Sequence, residues 1–182
     1  MTATLIITII LAFVGYAATY VNNALVERRK ERLDLINKRI NNFYGPLYVA
    51  VEVSQASLVA FFATIHKTID IERELPLNKP FTKEEEAEYR IWMENVLMPI
   101  NEWCERIVRE NAYLIREKDM PTCILDFVSS VSAYKVLIAK WKKKNFSEVY
   151  SAIPYPKDLH GYAAESYNDL KEEQLRLIKE LL

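Results

Sequence analysis

Glycine is almost missing from this chain of 182 residues, which holds only Gly15, Gly45 and Gly161. Loops that cradle phosphates need glycines clustered at fixed offsets, and neither GxxxxGK nor GxGxxG occurs. Nucleotide binding through a glycine loop is therefore unsupported. Histidine is as scarce, with His66 and His160 alone. A carboxylate-bridged metal site in a helical bundle needs Glu-x-x-His pairs, but the residues three positions earlier are Ala63 and Lys157. Cys104 and Cys123 are isolated and outside any C-x-x-C pattern, which argues against a disulfide scaffold or structural zinc. Neither has a histidine at local spacing to activate it, and two buried, reduced thiols suit the cytosol. An excess of charge is lacking too. A net charge of −1 gives no general pull toward nucleic acid. The run "WKKK" has too few interleaved aromatics for a stacking groove, and Glu148 and Asp158 dilute it. The acidic "TKEEEAEYR" reads as a solvated helix N-terminus. These absences lead to the expectation of a protein that is not an enzyme, with no cofactor, no metal and no nucleic-acid partner.

What the chain does have is an uncharged run from Thr2 to Val26, long enough to cross a hydrocarbon core of about 30 Å at about 1.5 Å per residue. A cleaved signal peptide is the competing reading. It fails on its flanks, because the basic cluster follows the apolar run rather than preceding it. Residues 1–26 are thus read as a transmembrane anchor with the lipid bilayer as partner. Residues 27–45 are read as a basic amphipathic arm and joint. Arg28, Arg29, Lys30 and Arg32 lead that arm, and no basic side chain precedes the span. The positive-inside rule then puts everything C-terminal in the cytoplasm. The cluster could also hold anionic headgroups; Glu27, Glu31 and Asp34 dilute it and favour the topological role. Leu33, Ile36, Ile40 and Phe43 form an apolar stripe at helical spacing, which packs either on another copy or on the chain's own body. Gly15 and Thr19 form a small-xxx-small pair that lets helices approach.

Gly45-Pro46 interrupts two segments that both want to be helical. Glycine can close a helix in the left-handed conformation and proline can open the next, so the pair is predicted to be a joint, with a proline kink in a continuous helix as the alternative. Residues 46–182 then read as four amphipathic helices. The first carries Leu47, Val51, Ser54, Leu58, Phe61, Ile65 and Ile69. The second begins with a capping box, Thr82 and Glu85, and carries Tyr89, Trp92, Val96, Ile100, Trp103, Ile107 and Leu114, with a bend or break near Asn95 because of Pro99. The third carries Ile124, Val128, Val131, Tyr134, Ile138 and Trp141. The last carries Leu159, Ala163, Ser166, Leu170, Leu177 and Leu181. The fold class expected is all-α: a transmembrane helix and basic arm, then an antiparallel four-helix bundle.

The many tyrosines and tryptophans are expected to be core with a polar tip at the boundary, and a minority could line a ligand pocket or an interface. With short turns, the loops "ELPLNKPF" and "SAIPYPKD" lie far from the membrane. Pro76, Pro80, Tyr150, Tyr155 and Pro156 are the expected partner surface. The stretches "LINKRINNFYGPLY", "WMENVLMPINEW" and "YPKDLHGYAAESYNDLKEEQLRLI" resemble a broad group of uncharacterised bacterial single-pass membrane-anchored helical proteins. The resemblance covers nearly the whole chain, implies a bacterial source and the architecture above, and carries over no functional residue. The function expected is a membrane-anchored interaction or scaffold module that binds a protein partner or itself. A membrane-perturbing effector acting through anchor assembly and a ligand-binding sensor with an aromatic pocket are the rivals.

Overall fold

Pro46 does not end the first helix. The computed structural model describes residues 2–65 and 81–181, with side chains from residue 7 onward. Pro76, Pro80, His66, Ile69 and most of "ELPLNKPF" lie outside the described residues. Among these, the chain is all-helical and forms four rods with no strand. The first joins α1 (Thr2–Arg39), a π-helical turn (Ile40–Tyr44) and α2 (Gly45–Thr64). The second joins α3 (Lys83–Trp92), another π turn (Met93–Leu97), α4 (Met98–Asn111) and a short 3-10 turn (Ala112–Leu114). Helices α5 (Thr122–Lys142) and α6 (Asp158–Leu181) are the remaining two.

Each π turn comes just before a proline. A proline ring clashes with the carbonyl four residues back and offers it no N–H. For Pro46 and Pro99 those carbonyls belong to Asn42 and Asn95. One extra residue widens the preceding turn, which is closed by the Gly45 N–H donating to the Ile40 carbonyl and the Met98 N–H donating to the Met93 carbonyl. The helix passes the proline instead of breaking. Gly45 is right-handed, with φ −66° and ψ −55°, so the left-handed cap expected of it does not form. Of the two sequence readings, the continuous helix through Pro46 is the one the chain adopts. Gly45 is required for space: a Cβ there would meet the Ile40 carbonyl oxygen at 2.5 Å.

The second π turn corrects another expectation. An extra residue rotates the following face by about 100°, so the predicted stripe through Trp103 is out of register. The buried face runs through Tyr89, Met93, Leu97, Met98, Cys104 and Val108; Tyr89, Ile107 and Leu114 of the predicted stripe are buried, whereas Trp103 is exposed. The helix ends follow the sequence more closely. Thr82 Oγ1 accepts from the Glu85 amide at 3.2 Å while the Thr82 amide donates to Glu85 Oε2 at 2.7 Å, completing the capping box. At the end of α5, Lys144 adopts a left-handed φ of 61°. Its amide reaches the Trp141 carbonyl and that of Asn145 reaches Lys140, a Schellman closure with lysine where glycine is usual.

Where the rods meet, residue numbers run in opposite senses. Along the first rod and α6 the pairs are Arg29 with Glu180, Asn37 with Gln174, Tyr48 with Tyr167 and Glu52 with His160. Between the first and second rods, Arg39 donates to the Leu114 carbonyl while Phe61 meets Phe81 and Tyr89. One core runs through all of them, from Ile36, Ile40 and Phe43 through Leu47, Val51, Phe127 and Val131 to Phe61 and Trp141. The stripe of residues 33–43 therefore packs on the chain's own helices.

Candidate membrane-facing and partner surfaces

The N-terminal part of α1 is the least ordinary surface. From Ile7 to Leu25 every side chain is exposed except Ala17, which is half-exposed. Phe13 (71%), Tyr16 (70%) and Leu11 (66%) show most of their area. Two helices among the described residues are long and apolar enough to cross a membrane. The N-terminal one buries none of its most apolar window, while α5 seats a third of its window in the core. Below the apolar part, Arg29 pairs with Glu180 at 3.5 Å, Arg32 pairs with Glu173, and Lys30 pairs with Glu27 at 2.8 Å. Arg28 is exposed. The arginines predicted to face lipid thus split, two of them reaching α6. Arg32, Arg116 and Arg176 share an open cleft with Asp169, Glu172 and Glu173, whose charges cancel.

A polar cluster marks the level of the first π turn. The Tyr44 hydroxyl receives the Arg116 amide at 3.0 Å and donates to Glu117 Oε2 at 3.2 Å, and Tyr162 donates to the same carboxylate oxygen at 3.2 Å. Burial pushes both phenols up, so they stay protonated donors at neutral pH. These residues clip the 112–121 turn to the first rod and to α6.

Glu105 is the one buried carboxylate of the described core. It accepts from Lys135 at 2.5 Å and from Arg109 at 2.7 Å and 3.0 Å. Burial alone would push its carboxyl up; the bonds from Lys135 and Arg109 outweigh this and hold it below the ordinary range. A depressed carboxylate contributes stability that is complete above the unfolded-state value of about 4.3 and is lost as pH falls through the folded one. Both cations keep access to water, with 43% and 65% of their side chains exposed, so the pairs are screened. Glu105→Gln is expected to cost about 1–2 kcal/mol at pH 7. The gap from the parent should close below pH about 4. Thermal unfolding at the two pH values checks both statements.

The far end of the rods is aromatic. Phe61 lies 5.8 Å from Phe81 and 5.6 Å from Tyr89, and Tyr89 lies 5.5 Å from Tyr150, measured between ring centroids. Tyr89 and Tyr134 share a hydrogen bond of 3.1 Å, and the Trp141 indole donates to the Glu148 carbonyl at 2.9 Å. Of the three described residues of the predicted partner surface, Tyr150, Tyr155 and Pro156, only Tyr150 is exposed (40%). Tyr155 turns inward onto Phe127, with ring centroids 5.6 Å apart, and Pro156 is half-buried. Sequence reasoning missed Phe146 and Ile153, both exposed. Phe146 carries the Arg90 guanidinium 4.5 Å over its ring. Their signal was position: apolar residues in a linker that also holds Tyr150.

Burial pushes the Cys104 thiol up to about 12 and raises Cys123 as well, which suppresses the nucleophilic thiolate. No group of three His, Cys, Asp or Glu side chains among the described residues is placed to hold a metal ion. His160 is occupied by Glu52 at 2.8 Å. Comparison with family models, with curated proteins and with solved structures finds no match to the chain.

Proposed function

We propose that this chain is a single-pass, membrane-anchored helical module that presents an interaction surface on the cytoplasmic face of a bacterial inner membrane and catalyses no reaction. One observation carries the reading. A helix whose side chains from Ile7 to Leu25 are exposed, with Ala17 half-exposed, runs unbroken into a body in which the buried Glu105 is paired with Lys135 and Arg109 and the buried Tyr89 bonds Tyr134. Residues 1–26 are the anchor, residues 27–45 the basic arm, and residues 46–182 an antiparallel bundle. The opposite order of residue pairs between rods supports that arrangement. Arg28, Arg29, Lys30 and Arg32 favour the cytoplasmic side for the body. The distal aromatic end, with Tyr150, Phe146 and Ile153 at its rim, is the surface offered to a protein partner.

Fusion of reporters to the C-terminus tests the topology. A fluorescent protein that folds only in the cytoplasm should be bright, and a phosphatase active only outside it should be silent. The reverse pattern would invert the orientation, and loss of the chain from the membrane fraction would remove the anchor. Neutralising Arg28, Arg29 and Lys30 together should weaken the orientation bias. Neutralising Lys142, Lys143 and Lys144 should leave it unchanged, because they lie beside Trp141 at the distal end.

A further inference from the structure

We propose that the last turns of α6 form a second, peripheral contact with the bilayer surface, made by Ile178, Lys179 and Leu181 and held in place by the pairing of Glu180 with Arg29. The proposal rests on the anchor reading above. Helix α6 ends beside α1 at a defined height. Arg29 Nε lies 3.5 Å from Glu180 Oε2, and Arg29 Nη1 donates to the Glu180 backbone carbonyl at 3.3 Å. Arg29 is three residues beyond Val26, the last residue of the uncharged run, a rise of about 4.5 Å along the helix. The headgroup layer outside the hydrocarbon is about 5–8 Å thick. The end of α6 is thereby level with the headgroups.

The chemistry of that end fits a lipid surface. Ile178 is 39% exposed and Leu175, one turn further from the membrane, is 54% exposed. Their spacing of three residues puts them on one face. Lys179 is exposed and makes no ion pair among the described residues. Two of the carboxylates near this end are paired, Glu180 with Arg29 and Glu173 with Arg32, while Glu31 and Glu172 stay exposed. Ile178 and Leu175 give an apolar edge flanked by the Lys179 cation, the pattern that seats at the boundary between headgroups and acyl chains. The level of this end, set by Arg29 three residues beyond the uncharged run, selects the bilayer, rather than a second copy, as its occupant. An anchor leaning toward α6 brings Ile178 in first and Leu175 after it.

The test uses the full chain in nanodiscs of phosphatidylcholine with phosphatidylglycerol. An environment-sensitive fluorophore is placed in turn on Val14→Cys, Ile178→Cys, Leu175→Cys and Lys143→Cys, in a Cys123→Ser background. Quenching by lipid-borne spin labels should be strong at 14 and several-fold greater at 178 than at 143, with 175 between them. Adding Lys179→Glu should reduce quenching at 178 when phosphatidylglycerol is present and leave 14 unchanged. Quenching at 178 as weak as at 143, with 14 still strong, overturns the proposal. So does a fluorophore at 178 that is shielded from lipid and self-quenches with the number of chains per disc, which makes the occupant a second copy. Weak quenching at 14 as well overturns the anchor reading itself.

Discussion

Replacing Phe61 with alanine will lower the melting temperature of the full chain in detergent by on the order of 10 °C. Phe61 has no exposed surface, and its ring faces Phe62, Phe81, Tyr89 and Trp92 at centroid distances of 5.1–6.1 Å. Three of those neighbours belong to the second rod or to its approach, so a single side chain ties α2 to α3. Truncating a buried phenylalanine costs about 3–5 kcal/mol, because the transfer energy is lost and the cavity refills poorly. In a chain of this size each kilocalorie moves the midpoint by about 2–4 °C. Phe61→Leu keeps most of the volume and should cost less than about 1.5 kcal/mol. A shift of only 1 or 2 °C for the alanine variant would mean that the aromatic end is not a packed part of the core.

Gly45→Ala and Gly161→Ala should move stability in opposite directions. Alanine is favoured over glycine inside a helix by up to about 1 kcal/mol. At Gly161 in α6 a Cβ meets nothing within 4 Å, so that gain should be realised in full. At Gly45 the same Cβ meets the Ile40 carbonyl oxygen at 2.5 Å. That oxygen also accepts the Gly45 amide to close the π turn, so it cannot withdraw without breaking the bond. The turn must distort, at a cost of about 1–3 kcal/mol. Chemical denaturation of both variants beside the parent decides the matter. Stabilisation by both would mean that the turn before Pro46 is not π-helical.

The sequence made the rods legible because their cues are local. The capping box at Thr82 and Glu85 is closed as its spacing demands. The stripes of α5 and α6 place Ile124, Val131, Leu159, Ala163 and Leu170 in the core. Gly45 was harder, since glycine is used both for left-handed φ and for want of a Cβ, and only the position of the Ile40 carbonyl separates the two. The register of α4 was hidden for a related reason. A period of 3.6 residues carried across Pro99 points Trp103 inward, and the π turn that exposes it leaves no mark in hydropathy. The surfaces divided in the same way. The exposed apolar part of α1 was visible as an absence of charge, whereas the engagement of Arg29 and Arg32 by α6 joins residues more than a hundred positions apart. Tyr155 was placed outside because its neighbours are prolines, but its ring found Phe127.

The unbroken path from Thr2 to Thr64 has a mechanical consequence. With no hinge at Gly45, the first rod is a stiff lever on the order of 90 Å long, and the other three rods brace its C-terminal part. On the membrane reading its fulcrum lies near Val26, which leaves the span as the short arm and the stretch to Thr64 as the long one. A tilt of about 20°, ordinary for a single span, then sweeps the aromatic end sideways by roughly 20 Å. Small changes in bilayer thickness would be read out as large displacements of the surface that Tyr150 and Phe146 border.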